Sequence, residues 1–466
     1  MKPVKKVSTR RKVFRYLLVP VLVLLFLACA IRKNDYTPYQ QTAYYKQTIA
    51  ALDQHRPTIT EGDTLKVGWA KRSITPPAPF PLAGYGKRLG KEYTEVHDSA
   101  YVRTFAFDNG RQQAYFIALD MLITPMTLTA ELNKAAQQIG LKPEQLYLSA
   151  THTHTSFGGW GEKLMGWVMA GSYSEEQLHK TTATIIESIK QARANAGKAR
   201  VGYGEAFAGN LVENRLTGNE SVLDTTIRFV KFEQADGDVA LLTTFAAHAT
   251  VLPSKQPVLS RDYPGALVDK LEEQVDFAAF AAGAVASHRP VYHHGDTFQS
   301  VDSLGTQLAR TIATALPDVQ MHYVTKLGYS RTPISLPQPE FRISDNYHLA
   351  PWLFYSLFGN YPSFVNSLQI GNLLLVGAPA DYSGEYMKEL EQLAGQQDQQ
   401  LIVTGFNGGY MGYLTPSRHY MLDAYEVRDM NFYGKWGGDY LTDLFRNLIK
   451  LPHSFPALYA GCLRSA

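Results

Sequence analysis

From residue 65 onward, short runs of β-branched and aromatic residues alternate with segments whose apolar positions recur at helical spacing. The first kind predicts strands over 65–69, 100–107, 113–119, 145–150, 199–204, 226–232, 239–245, 277–281, 328–334, 372–377 and 400–405. The second predicts helices over 127–139, 174–194, 265–274, 303–315, 384–394 and 439–448. The clearest is 174–194, where Leu178, Ala183, Ile186 and Ile189 keep near-helical spacing and Ser174 precedes two acidic residues in a capping arrangement. Asp236-Gly237 separates two β-rich runs and marks a hairpin, so mixed strand order is expected and not a pure βαβ repeat. The fold class that follows is α/β, mixed sheets with flanking helices, built as one large domain over 63–466 without internal repeats.

The first forty residues follow another pattern. Lys2, Lys5, Lys6, Arg10, Arg11, Lys12 and Arg15 precede an uninterrupted apolar run over 16–31. That order reads as an export signal, with the basic head kept in the cytoplasm and everything after Arg32 on the far side of the membrane. Residues 1–33 are therefore expected to form a signal-anchor or transmembrane segment, with Arg15, Arg32 and Lys33 snorkelling to the interfaces. Phe26-Leu27-Ala28-Cys29 partly matches a lipoprotein signal, which leaves acylation of Cys29 as the alternative to an uncleaved anchor. Residues 34–62, polar and rich in Tyr and Gln, read as a stalk with a short helix over 44–54.

Composition narrows the function classes. With 45% hydrophobic and 19% charged residues the chain is globular, and extensive disorder is excluded. A net charge of +3, with several cations in the head, leaves the remainder near neutral and gives no footing for a nucleic-acid partner. Cys29 and Cys462 are the only cysteines, so neither a disulfide framework nor an all-cysteine metal site is available. Any metal must be held by His, Asp, Glu or Tyr. The 28 tyrosines and 22 phenylalanines either fill a core or line an apolar cleft.

Four strand ends carry candidate chemistry. The run Ser149-Ala150-Thr151-His152-Thr153-His154 closes a β-type segment with two histidines two residues apart, which alternation would place on one face. Imidazole serves as metal donor or general base, although paired histidines also occur at surfaces and as satisfied core residues. His248 follows a second apolar run, and Asp381 follows a third at the start of a helix. The first has a bland reading as a core histidine and the second as a helix cap. The fourth stretch, Gly409-Tyr410-Met411-Gly412-Tyr413-Leu414-Thr415-Pro416 with Tyr420 and Tyr425 beyond it, reads equally as aromatic packing. Strands feeding one edge of a sheet would bring these ends to a common cleft.

These segments, in this order, resemble the catalytic domain of neutral, non-lysosomal ceramidases, over about residues 67–425. The anchors of the resemblance are Ser149 to His154, Phe245 to His248, and Tyr413-Leu414-Thr415-Pro416 with Tyr425 twelve residues after Tyr413. Ala83-Gly84-Tyr85-Gly86, Asn214-Arg215, Asp224 and Ser260-Arg261-Asp262 support it. The resemblance implies a Zn2+ site held by His152, His248 and Tyr413, with Asp381 where the family has a glutamate. A shorter carboxylate can ligate zinc only if the local backbone sits closer to the metal. It also implies that His154 orients or transfers a proton, that Arg215 contacts the carbonyl or oxyanion, and that Tyr425 hydrogen-bonds the developing charge.

Two departures stand out. Within Gly283-Ala284-Val285-Ala286-Ser287-His288-Arg289-Pro290, Ala286 occupies the place of a family serine implicated in catalysis. Ser287 or His288 would substitute only after a one-residue shift, and alternation would point Ser287 to the other face. Only about forty residues follow Tyr425, too few for the immunoglobulin-like domain that usually closes these enzymes. The reading that results is a zinc-dependent amidohydrolase, membrane-anchored with its domain extracytoplasmic. It would cleave an N-acyl amide in a lipid-like substrate by metal-activated water, with Trp160, Trp167 and Trp352 lining the acyl cleft. A zinc-dependent esterase and a catalytically silent envelope protein that keeps the fold for binding are the alternatives.

Overall fold

The computed structural model describes residues 9–218 and 222–451, so the first eight residues of the expected anchor and the last fifteen of the expected domain lie outside the described residues. Two mixed sheets face each other. The larger has eight strands in the order Phe277–Ala282, Val239–Phe245, Thr226–Gln234, Gly197–Phe207, Lys66–Ser73, Tyr101–Asp108, Gln113–Leu119 and Leu146–Ala150. The smaller has five, in the order Thr58–Glu61, Lys326–Ile334, Ser363–Ile370, Leu373–Gly377 and Gln400–Thr404. Most pairs are antiparallel. Three are parallel, and they sit at the sheet edges: Val239–Phe245 with Phe277–Ala282, Gln113–Leu119 with Leu146–Ala150, and Leu373–Gly377 with Gln400–Thr404.

Alternation along the strands assigns each side chain to a layer. In Tyr101–Asp108, Phe105 and Phe107 enter the space between the sheets, while Val102 and Ala106 face the helices. In Leu373–Gly377, Leu373 and Leu375 meet Phe105 and Phe107 in the inter-sheet cluster, while Leu374 and Val376 pack under Leu390, Leu441 and Phe445. Helices Met126–Gln138 and Glu175–Ala194 lie over one half of the larger sheet, Asp262–Leu271 and Phe298–Ala315 over the other. Met387–Gly395 and Gly437–Lys450 cover the smaller sheet. The helix Glu175–Ala194 begins where Ser174 accepts a hydrogen bond from the Gln177 amide, as its cap predicts.

All eleven predicted strands are present, displaced by a few residues at their ends. Ser363–Ile370 was not predicted, because it is buried along its whole length and mixes Asn366, Ser367 and Gln369 among its apolar residues, which erases any alternation. The segment 34–62, expected as a stalk, packs onto the domain. Its helix Ala43–Gln54 buries Thr48 and Leu52 against the Gly437–Lys450 layer, and Thr58–Glu61 forms the edge strand of the smaller sheet. The apolar N-terminal segment forms a helix over Thr9–Ala30, but no helix among the described residues is long and apolar enough to cross a membrane.

One buried acid ties this N-terminal region down. Glu340 accepts a hydrogen bond from the Asp35 amide at 3.0 Å, its other carboxylate oxygen has no partner, and burial pushes its pKa up to about 7 from an ordinary 4.5. The folded state therefore holds the proton more tightly than the unfolded chain, and stability falls as pH rises from about 4.5 to 7. Glu340→Gln is expected to exceed the wild type in stability by on the order of 1 kcal/mol at pH 8. Denaturant unfolding at two pH values checks this, since the advantage should vanish near pH 4, where both side chains are neutral.

Candidate metal centre

Every residue of the centre leaves a strand that belongs to a parallel pair. Leu146–Ala150 leads to His152 and His154, Val239–Phe245 to His248, Leu373–Gly377 to Asp381, and Gln400–Thr404 to Tyr410 and Tyr413. Hydrogen bonds stitch the two sheets together at this end. Ser149 Oγ donates to Gly405 O at 3.1 Å, Tyr147 and Thr404 hydroxyls pair at 2.9 Å, and the Gly405 amide donates to Ala282 O at 2.8 Å.

His152 and His154 do not converge by strand alternation, because the strand ends at Ala150. His152 takes a left-handed backbone with φ of 59°, a costly conformation for a residue with a Cβ, and this turn brings its Nε2 to 3.1 Å from Nε2 of His154. Gly84 lets a neighbouring loop approach, since with its φ of 114° an added Cβ would lie 2.6 Å from the His154 Cα. One ring nitrogen from each of His152, His154 and His248 lies within 4.8 Å of the other two.

The orientation of each ring distinguishes them. Nδ1 of His152 lies 2.7 Å from Leu122 O, and Nδ1 of His248 lies 3.0 Å from Val285 O and 3.1 Å from His288 O. A carbonyl only accepts, so both Nδ1 atoms carry hydrogen, and both Nε2 atoms point inward. Asp381 Oδ1 stands 3.2 Å from Nε2 of His152 and 3.0 Å from Nε2 of His248, with Tyr413 OH 2.8 Å from the latter. Nδ1 of His154, in contrast, is buried without a hydrogen-bond partner. His154 thus lacks the carbonyl brace that the other two imidazoles share.

This donor set fits a cation. Asp381 is fully buried, and its Oδ1 has no hydrogen-bond donor. Burial opposes its charge, yet the His152 and His248 rings hold the carboxyl far below its usual range. Burial, then the Arg215 charge, pushes His248 down to about 3, so its ring is neutral near pH 7. A buried carboxylate oxygen beside two inward imidazole nitrogens and a phenol hydroxyl makes a donor set suited to a cation. Zinc bonds of roughly 2.0–2.2 Å imply tetrahedral donor-to-donor edges of roughly 3.3–3.6 Å, a few tenths of an ångström longer than the 2.8–3.2 Å spacings present.

Asp381 reaches this point because Asp381–Tyr382 forms a short parallel ladder with Tyr413–Leu414, and its amide donates to Gly412 O at 3.0 Å. Its second oxygen accepts from the hydroxyl of the partly buried Tyr410 at 2.9 Å. Tyr410 stood in the fourth stretch without an assigned task, and Leu122, Val285 and Glu426 carried no sequence signal, since backbone carbonyls and ion pairs across long loops leave no motif.

Arg215, partly buried, lies with Nη2 3.4 Å from His248 Nε2 and 3.2 Å from Ala286 O, and its Nε meets Glu426 at 2.8 Å. Tyr425 is half exposed, its ring 6.1 Å from that of Tyr413, and burial of its hydroxyl pushes its pKa up to about 12. The loop carrying Ala286 serves the centre through backbone carbonyls. Ser287 Oγ is tied to His288 Nδ1 at 2.9 Å and Ser383 Oγ at 2.6 Å, and His288 Nε2 accepts from the Asp224 amide at 2.9 Å. Neither side chain lines a cavity beside the centre.

Two cavities meet there, sharing His154, Tyr413 and Tyr425. One, of about 380 Å³, is walled by apolar groups including Ile123, Met126, Trp160, Met169, Phe354 and Phe432. The other, of about 980 Å³, carries Lys87, Glu213, Arg215, Arg289, Tyr292 and Glu426. Of the three tryptophans expected on the acyl cleft, Trp160 lines the apolar cavity, whereas Trp167 and Trp352 do not, because they point outward from its wall helices.

Comparison with known proteins adds the lineage. Residues 65–297 match the family described as "Neutral/alkaline non-lysosomal ceramidase, N-terminal". The chain is 25% identical to the neutral ceramidase of Pseudomonas aeruginosa over 217 residues, 43% of this chain and 32% of that protein. It is 22% identical to the neutral ceramidase of Mycobacterium tuberculosis over 239 residues, 47% of this chain and 37% of that protein. The match thus spans about a third of the length of these curated relatives. In fold it is similar to the crystal structure of the Pseudomonas aeruginosa neutral ceramidase, with a TM-score of 0.72 at 18% identity over 83% of this chain and 74% of that one. A structure described as ceramidase complexed with C2 gives a TM-score of 0.75 at 16% identity, over 83% and 75% of the two chains. With its family match covering half its length, the chain belongs to the neutral/alkaline non-lysosomal ceramidase family.

Proposed function

We propose that the chain is a zinc-dependent hydrolase that cleaves the N-acyl amide bond of a lipid-like substrate. The observation that carries this reading is the inward convergence of His152 Nε2, His248 Nε2, Asp381 Oδ1 and Tyr413 OH where an apolar and a polar cavity join. The apolar cavity suits an acyl or alkyl chain, and the polar one suits a head group. A zinc ion held by these four would polarise the scissile carbonyl and make water acidic enough to attack near neutral pH.

The remaining roles belong to the protein. His154 is neutral near pH 7, because burial and the neighbouring His152 and His248 rings lower its pKa. Its Nε2, beside His152, can take the proton of the attacking water and return it to the departing amine. Arg215, held by Glu426, places a fixed positive charge beside the centre, where an oxyanion develops. The Tyr425 hydroxyl keeps its proton at neutral pH and so remains a donor to that charge. Basic residues ahead of the apolar run 16–31 support a further part of the reading, that this segment anchors the domain on the outer side of the cytoplasmic membrane.

Zinc quantification on the purified full chain, coupled to hydrolysis of matched N-acyl amides and esters, tests the proposal. About one zinc per chain is expected, and His152→Ala or His248→Ala should each abolish metal and activity together. Absence of stoichiometric zinc and of hydrolysis, with zinc supplied, would mark a catalytically silent protein, while ester-only turnover would mark an esterase. Tyr410→Phe should weaken zinc binding roughly 10- to 100-fold in a chelator competition, because Asp381 loses the bond that orients it. Arg215→Ala, by contrast, should retain zinc and lower kcat roughly 100-fold or more in steady-state kinetics.

A further inference from the structure

On the helix Thr9–Ala30, every described side chain from Leu18 to Cys29 is exposed, including Leu18, Val19, Val21, Leu22, Val23, Leu24, Phe26 and Leu27. Successive helical positions turn by about 100°, so this apolar surface runs around the whole circumference. A second copy or a single protein partner covers one side of a helix. An apolar solvent covers all sides at once.

The C-terminal end of this helix is fastened to the wall of the apolar cavity. Ile31–Lys33 pairs with Tyr347–Leu349, the Ala350 amide donates to Ala30 O at 2.7 Å, and Trp352 Nε1 donates to Cys29 O at 3.0 Å. Phe26 meets the Trp352 ring edge-on at 6.3 Å. Trp352 belongs to the helix Pro351–Phe358, whose Phe354 and Phe358 line the cavity. The helix Leu164–Ala170 packs against it and lines the same cavity through Met165, Val168 and Met169. The outward residues of these two walls are large, apolar and uncovered: Leu164 is 55% exposed, Trp167 43% and Trp352 48%. Ile343 and Tyr347 extend the exposed apolar surface beside the fastening strand.

We propose that the N-terminal helix and the outward faces of Leu164–Ala170 and Pro351–Phe358 form one lipid-seated face around the apolar cavity, so that a substrate's chain passes from the bilayer directly into it. The inference rests on the hydrolase reading for the fate of the chain, but not for the contact itself. Charge agrees with this occupant. Arg10, Arg11, Lys12 and Arg15 precede the apolar run and Arg32 and Lys33 follow it, a pattern that suits anionic lipid head groups beside an apolar layer. Tryptophans at the rim suit the level between head groups and acyl chains.

The full chain would be mixed with vesicles of three parts phosphatidylcholine to one part phosphatidylglycerol carrying brominated acyl chains, which quench nearby tryptophan fluorescence. Quenching is expected in the wild type and should be largely lost in a Trp167→Phe/Trp352→Phe double variant with an unchanged melting temperature. In parallel, Leu164→Glu/Trp167→Glu should lower turnover of a vesicle-borne long-chain N-acyl lipid about tenfold, while hydrolysis of a soluble short-chain analogue stays within about twofold. Equal quenching of wild type and double variant, or equal loss on both substrates, would overturn the proposal. Concentration-dependent dimerisation without quenching would assign the face to a second copy instead. Should the wild type hydrolyse neither substrate, the hydrolase reading fails, and the quenching measurement still decides the lipid contact.

Discussion

The candidate centre depends on one buried carboxylate facing two imidazoles that have turned their hydrogens away. Leu122, Val285 and His288 carbonyls hold the Nδ1 hydrogens of His152 and His248, so their Nε2 atoms meet Asp381 Oδ1 at 3.0–3.2 Å. A cation would complete that buried donor set. The left-handed backbone at His152, the Tyr410 hydroxyl on the far carboxylate oxygen and the Arg215–Glu426 pair all act to keep those groups where they are.

The fold explains why four distant stretches arrive together. Each leaves a strand of a parallel pair, and the bonds between Tyr147, Ser149, Thr404 and Gly405 lock the two sheets at that end. The short ladder between Asp381–Tyr382 and Tyr413–Leu414 sets the Asp381 backbone directly beside that of Tyr413. The loop carrying Ala286 works through its main chain. Its carbonyls brace His248 and Arg215.

Strand alternation and helical spacing made the α/β plan of mixed sheets with flanking helices and the strand ends bearing His152, His248, Asp381 and Tyr413 legible in the sequence. What escaped did so for physical reasons. Ser363–Ile370 is buried on both faces and has no alternation to read. The 34–62 segment looks polar because only Thr48, Leu52 and a few neighbours along it enter the core. Tyr410 carries the same aromatic character as the packing residues around it, and only the 2.9 Å contact with Asp381 distinguishes it. Trp167 and Trp352 matched the composition of an acyl cleft but stand on its outer wall.

The most direct measurement is an anomalous-difference map from crystals of the full chain grown with zinc and recorded at the zinc absorption edge. The account predicts a single strong peak at roughly 2.0–2.2 Å from His152 Nε2, His248 Nε2, Asp381 Oδ1 and Tyr413 OH. A map without a peak among these four atoms, or with the ion bound elsewhere on the chain, would contradict it.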